Sequence, residues 1–267
     1  MGIVNVTPDS FSDGGQYFDH EKAIEHGLQL VKEGADVLDI GGESTRPGAE
    51  PVTLEEELRR VIPVVEGLAG VAPVSIDTTK AEVARRAVAA GARIVNDVTA
   101  LRADPHMASL CAETGVEVVL MHMLGTPRTM QNDPAYDDVV AEVAEFLAVR
   151  AGVAEAAGID REQIWIDPGI GFGKTVEHNL KLLADTGTFA DTGLPVLVGA
   201  SRKRFIGDLG GGAPESRRLG GTIAACLAAF RGGAAMVRVH DVAPVAQAIR
   251  VADAVRSAEP DPRPRHR

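Results

Sequence analysis

Apolar residues in this chain fall into short unbroken runs, each ending in a polar residue and a turn. The runs cover residues 2–5, 37–41, 74–77, 94–97, 118–122, 164–167, 196–201 and 236–240. Between them, apolar positions recur at helical spacing over 20–33, 53–68, 80–90, 105–113, 136–157, 176–184, 217–231 and 242–257. A run that is apolar at nearly every position reads as a strand buried on both faces, and strands separated by single helices build parallel βαβ units. Eight such units predict one α/β domain over residues 1–258, a single (βα)8 TIM barrel, and 267 residues suit the roughly 250 typical of that fold. The stretch 259–267, with three prolines and three arginines, predicts a disordered tail.

The polar residues that end the runs carry the chemistry, because in such a barrel all strand C-termini meet on one face. They include Asn5, Asp77, Asn96 with Asp97, Asp167, and Arg238 with His240. The sixth run passes into Asp167-Pro-Gly-Ile-Gly-Phe-Gly-Lys174, where three glycines permit positive φ and close backbone approach. Two phosphate-loop patterns fail there: the P-loop needs glycine where Pro168 stands, and the dinucleotide fingerprint needs glycine where Lys174 stands. The loop 41–48 combines glycines with Ser44, Thr45 and Arg46, a set suited to phosphate oxygens, while Glu43 is expected to bond within the loop or across the barrel mouth. The loop 5–15, with Phe11, Asp9 and Asp13, is long for this fold and reads as a candidate lid.

Composition narrows the partners. A net charge of −11 with no basic stripe argues against nucleic acid. Against that background Arg46, Arg202, Lys203, Arg204, Arg238 and His240 follow strand ends, which points to an anionic ligand. No segment has the roughly 18 uninterrupted apolar residues of a membrane span, and residue 1 opens directly on a strand without a signal-peptide pattern, so a cytoplasmic protein is expected. Cys111 and Cys226 lack metal spacing and sit among small apolar residues, as core thiols do. Carboxylates at an apolar mouth need donors, and a flat heterocycle with an amidine-like edge would supply them; a glycosidase pair or metal ligands are the other uses of paired acids. Only 4% aromatic residues weakens the sugar reading.

These motifs, taken in order, resemble the dihydropteroate synthase family. The resemblance rests on Asn5-Val-Thr-Pro-Asp-Ser-Phe-Ser-Asp-Gly-Gly15, Asp39-Ile-Gly-Gly-Glu-Ser-Thr-Arg-Pro-Gly48, Ser75-Ile-Asp-Thr78, Asn96-Asp97, Leu120-Met-His-Met123, Asp167 to Lys174, Ser201-Arg-Lys203 and Arg238-Val-His-Asp-Val242. It implies condensation of 6-hydroxymethyl-7,8-dihydropterin pyrophosphate with 4-aminobenzoate, inhibition by sulfonamides, a magnesium ion with Asn5 as its protein ligand, and a homodimer. On the residues, it implies that Asp77, Asn96, Met121, Asp167, Phe172 and Lys203 hold the pterin. Asn5, Thr45, Arg46, Arg238 and His240 would hold the diphosphate. Pro47, Phe172, Lys203 and Arg204 would border the aminobenzoate, with Phe11, Asp13, Lys203 and Arg46 in catalysis. Arg204 stands where many relatives of that family have serine. Two other readings share the pterin-reading acids: a corrinoid-dependent pterin methyltransferase, which has no use for the diphosphate cations, and a pterin-binding paralogue without turnover.

Overall fold

In the structure, a computed structural model that describes residues 1–7, 16–44 and 48–258 (16–19 as backbone), eight parallel strands alternate with helices. The order is β1 (Gly2–Asn5), α1 (Gln16–Lys32), β2 (Leu38–Gly41), α2 (Leu54–Leu68), β3 (Val74–Asp77), α3 (Ala81–Ala89), β4 (Ile94–Asp97), α4 (Met107–Thr114) and β5 (Glu117–Met121). It continues with α5 (Val139–Ala156), β6 (Ile164–Asp167), α6 (Val176–Ala184), α7 (Thr186–Ala190), β7 (Leu197–Val198), α8 (Arg204–Leu209), α9 (Leu219–Arg231), β8 (Met236–Val237) and α10 (Val242–Ser257). Strands β1 to β6 form one continuous ladder, and β7 pairs with β8. Single bridges join the two pieces, Ile166 to Val196 on one side and Gly2 to Val239 on the other. The Ile166 amide donates to Pro195 O at 3.0 Å and the Ile3 amide to Val239 O at 3.0 Å, so the ring of strands closes as a barrel. The stretch 259–267, expected to be a tail, lies outside the described residues.

The strand sequences explain the layering. Side chains alternate across a strand with period two. Leu38, Ile40, Val74, Ile76, Val95, Val118, Leu120, Ile164, Ile166, Val198 and Val239 therefore face the helices and join the main core. The intervening positions face the barrel axis: Met1, Val37, Ile94, Val119 and Leu197, with Trp165 and Met236, pack as an apolar floor. Moving toward the strand C-termini, the same inward series passes through Asp39, Ser75 and Asn96 to Asp77, Met121, Asp167 and Arg238. The axis thus changes from hydrocarbon to charge in two residues' rise.

Helix signals hold at several ends. Thr53 caps α2 by accepting from Glu56 N at 3.3 Å, and Asp138 caps α5 by accepting from Val140 N and Ala141 N. Thr175 and His178 form a reciprocal capping pair on α6. The helix pattern did not reveal α7 and α8, which are five and six residues long, too short to show a period. The glycine-rich segment 210–212, whose composition alone suggests a flexible link, is tied down: Gly212 N donates to Gly207 O at 2.8 Å, and Arg218 bonds Ala213 O and Arg202 O at 2.9 Å each. Cys111 and Cys226 are free and buried, as expected of core thiols. Among the described residues no helix is long and apolar enough to cross a membrane.

Helices α1 and α2 approach closely because glycines face large aliphatics. A Cβ on Gly27 would lie 2.5 Å from Leu68 Cδ1, and one on Gly67 would lie 2.6 Å from Ile24 Cδ1. Leu68 is fully buried at this contact. Truncation to Leu68→Ala is expected to lower unfolding stability by about 3 kcal/mol, read as a shifted urea midpoint at unchanged slope.

Candidate active site

The C-terminal strand ends gather most of the residues singled out from sequence. Asp77 on β3, Asn96 on β4, Met121 on β5 and Asp167 on β6 are all buried around the same mouth. Arg238, just past β8, crosses the axis: its Nε donates to Asp39 Oδ2 at 2.5 Å and its Nη2 to Asp77 Oδ2 at 2.9 Å. Asn96 Nδ2 donates to the same Asp39 Oδ2 at 3.2 Å. Asp39 sits inside an apolar run and was singled out from sequence only as part of a motif. Its alternation with the floor residue Val37 is the signal that marks it as inward-facing.

Asn96 and Asp97 are sequence neighbours with opposite fates. Asp97 faces away from the axis and turns its carboxylate back on its own loop. It accepts from Thr99 N at 2.8 Å, Thr99 Oγ1 at 2.7 Å and Leu101 N at 2.9 Å. Those bonds hold Ala100 and Leu101 at positive φ, 53° and 63°. Asp97 is thereby spent on structure, and the expectation that it offers an unsatisfied acid to a ligand is corrected.

The loop after β6 is held by a buried cation. Lys174 Nζ lies 2.9 Å from His122 Nδ1 and donates to Phe172 O at 2.9 Å. Burial, with Asp167 opposing it and Lys203 reinforcing it, draws the Lys174 pKa down to about 7. His122, desolvated and beside Lys174, falls to about 3 and is a neutral acceptor. The glycines here serve close packing: a Cβ on Gly169, at φ +67°, would sit 1.9 Å from His122 O, and one on Gly173 would sit 2.7 Å from Leu124 Cβ. Gly171 lies along Lys203, whose Nζ stands 4.0 Å from the centre of the Phe172 ring. Phe172 in turn packs with Val98, Met121, Met123 and Met130 as one apolar wall.

The positive residues divide sharply. Arg202, at φ 56°, is clamped by Asp241 through bonds of 2.9 and 2.7 Å, and Arg204 is exposed with Nε 3.6 Å from Asp208. Arg202 is a structural ion pair, which corrects its grouping with the anion-facing cations. His240 Nδ1 lies 3.0 Å from Ser201 Oγ, which accepts from the His240 amide at 3.2 Å. Burial, with Arg202 and Arg238 adding to it, lowers the His240 pKa to about 3. Glu43, expected to bond within its loop or across the mouth, instead pairs with Lys80 in the loop after the neighbouring β3, and Lys80 also binds the buried Glu57 at 2.5 Å. Asn5 ends β1, half-buried, on the same rim. Phe11, Asp13, Thr45, Arg46 and Pro47 lie outside the described residues.

Two acids stand out electrostatically. Burial pushes the Asp77 carboxyl up to about 7, against the pull of Arg238 and with repulsion from Asp39, Glu57 and Asp97. Burial likewise raises Asp167 to about 6, although Gly169 N donates to its Oδ1 at 2.7 Å. The site is therefore a charged cup short of donors, with a cationic rim at Arg238 and Lys203.

The chain matches the family model described as "Pterin binding enzyme" over residues 1–240. It is 48% identical to the dihydropteroate synthase of Escherichia coli strain K12 over 265 residues, 98% of this chain and 93% of that one. Among solved structures it is similar to Xanthomonas albilineans dihydropteroate synthase with 4-aminobenzoic acid, at 55% identity and TM-score 0.91, covering 97% of this chain and 93% of that one. A complex of that organism's enzyme with 7,8-dihydropteroate matches at 52% identity and TM-score 0.88, covering 97% and 94%.

A folded pKa raised above the unfolded value means that the native state binds the proton more tightly. Stability then falls as pH rises from about 4 through about 7. Asp77→Asn is expected to be more stable than the parent by about 1 kcal/mol or more at pH 8, with the difference vanishing toward pH 4, in urea unfolding across pH.

Proposed function

The chain belongs to the pterin-binding enzyme family, and from that premise we propose that it condenses 6-hydroxymethyl-7,8-dihydropterin diphosphate with 4-aminobenzoate to give 7,8-dihydropteroate and pyrophosphate. The observation that carries the reading is the buried, donor-poor carboxylate cup of Asp77 and Asp167 beside Asn96, with Arg238 and Lys203 on its rim. The ring N–H and exocyclic amine of a pterin supply the missing donors. Asp167 and Asp77 accept from them, Asn96 and Lys203 take the ring acceptors, and Met121 and Phe172 cover the ring faces.

At the far end Arg238, His240 and Asn5 meet the diphosphate, with Thr45 and Arg46 completing that set. The C–O bond breaks with its electron pair leaving on the diphosphate oxygen. The resulting cation is delocalised into the pterin and stabilised by the ionised carboxylates beneath it. The arylamine of 4-aminobenzoate, bordered by Phe172, Lys203, Pro47 and Arg204, then attacks the exocyclic carbon and loses a proton. Phe11 and Asp13 are assigned to closing the site against water until that attack.

Magnesium fits the donor set in one particular way. Among the described residues no group of three His, Cys, Asp or Glu side chains could hold a metal. One hard amide oxygen from Asn5 suits an ion that keeps most of its shell on phosphates and water. Bound there, magnesium would neutralise charge on the departing diphosphate. We further assign the protein to the cytoplasm as a homodimer; buried free thiols support the first. The exposed pairs Val149 with Val153 on α5 and Val251 with Val255 on α10 support the second.

Purified protein with magnesium is expected to release pyrophosphate only when both substrates are present, to lose that release on chelation, and to be inhibited by sulfonamides competitively with 4-aminobenzoate. Pterin binding without aminobenzoate-dependent release would identify a binding protein instead. Asp167→Asn is expected to reduce kcat/KM for the dihydropterin diphosphate by about 100-fold or more, because an amide puts a donor NH2 where the carboxylate has its second acceptor oxygen.

A further inference from the structure

We propose that Asp39 is a positioning residue of this site, fixing Arg238 and Asn96 in the orientations that the dihydropterin diphosphate meets. The inference rests on the reading above for what those two residues touch, and on geometry for the rest. Asp39 lies one layer below the mouth, between the apolar floor and Asp77, and is fully buried. Its Oδ2 accepts from Arg238 Nε at 2.5 Å and from Asn96 Nδ2 at 3.2 Å.

Those bonds constrain what Arg238 can do. With Nε on Asp39 and Nη2 on Asp77, the plane of a long, flexible side chain is defined before any ligand arrives. Nη1, without a hydrogen bond among the described residues, is the group assigned to an incoming anion. Asn96 Nδ2 likewise gives one hydrogen to Asp39, which orients the other toward a pterin ring acceptor. One oxygen thus sets the group that holds the diphosphate and the group that reads the ring, so displacement of either is felt by the other.

Packing does not explain the residue. Asp39 Oδ1 and Ser75 Oγ, on neighbouring strands in register, are buried without a partner among the described residues. A buried carboxylate with one oxygen unsatisfied costs stability, and an aliphatic side chain would continue the floor beneath it. Local rules broken in this way mark sites shaped for function.

The test is Asp39→Asn in the full chain. It is expected to lower kcat/KM for the dihydropterin diphosphate by about 30-fold while KM for 4-aminobenzoate stays within about twofold. A second readout separates positioning from general damage. Asp77 feels the charges of Arg238 just past β8, Asp39 on β2, Glu57 on α2 and the outward-facing Asp97 on β4. Removing the Asp39 charge relieves repulsion on the Asp77 carboxylate and leaves Arg238 to it. The acid limb of dihydropterin diphosphate binding then moves to lower pH, by about half a unit or more. Should the single variant fail to fold, Asp39→Asn is made together with Arg238→Met, which removes both charges of the pair and is expected to fold. Against Arg238→Met alone, the added change should alter affinity by no more than about threefold, as non-additivity through a shared partner requires. Parent-like kcat/KM with an unmoved acid limb, or full additivity in the double variant, overturns the inference while leaving turnover by the parent intact. Absence of turnover in the parent faults the assigned reaction instead.

Discussion

Everything at the barrel mouth depends on an arginine held between two acids that the surrounding hydrocarbon would otherwise keep apart. Arg238 comes from the last strand, and Asp39 and Asp77 come from the second and third. Two like charges in a cavity of low dielectric repel strongly, and a shared guanidinium is what lets them coexist. The arrangement is possible only because the ring of strands closes between β8 and β1, which brings residue 238 to within hydrogen-bond reach of residue 39. The sheet and the ion cluster are one solution to one problem: the cluster spans the barrel, and the barrel presents the cluster to the outside on one face only.

Much of this was legible in the chain. All eight strands were marked by apolar runs, and period-two alternation determines which of their residues meet the axis. Asp77, Asn96, Asp167, Arg238 and His240 all closed runs, and all arrive at one rim. The pattern was less informative where the ladder gives out. β7 and β8 are two residues each, because the chain leaves the sheet at Gly199 and after Val237 to deliver Lys203, Arg238 and His240. Apolar content continues through those exits and resembles longer strands.

The errors share a cause. Asp97 and Arg202, the two misjudged, and Lys174, for which no ligand role was expected, carry the residue types that a ligand site uses, and each is consumed internally. Asp97 holds a left-handed turn, Arg202 is paired with Asp241, and Lys174 braces the glycine loop from beneath. Whether a charge is spent on the fold or offered to a ligand depends on partners that lie as few as two or as many as 52 positions away, and composition holds no record of them. Asp39 errs in the opposite direction, since an acid inside a β-run looks like a lapse in the pattern until its neighbours across the barrel are known.

The raised affinity of Asp77 and Asp167 for protons would couple the protein's resistance to unfolding to its supply of ligand. An empty cup near neutral pH is a reservoir of unfavourable charge, and a ligand that donates hydrogen bonds to it drains that reservoir. By reciprocity, the free energy that tightens the bound complex is withheld from the vacant chain. When the pterin precursor runs short, a larger fraction of molecules will visit open states that proteases cut, and limited digestion with and without that precursor would display the difference as a change in half-life. Abundance of the polypeptide would then track the supply of its precursor with no dedicated regulator.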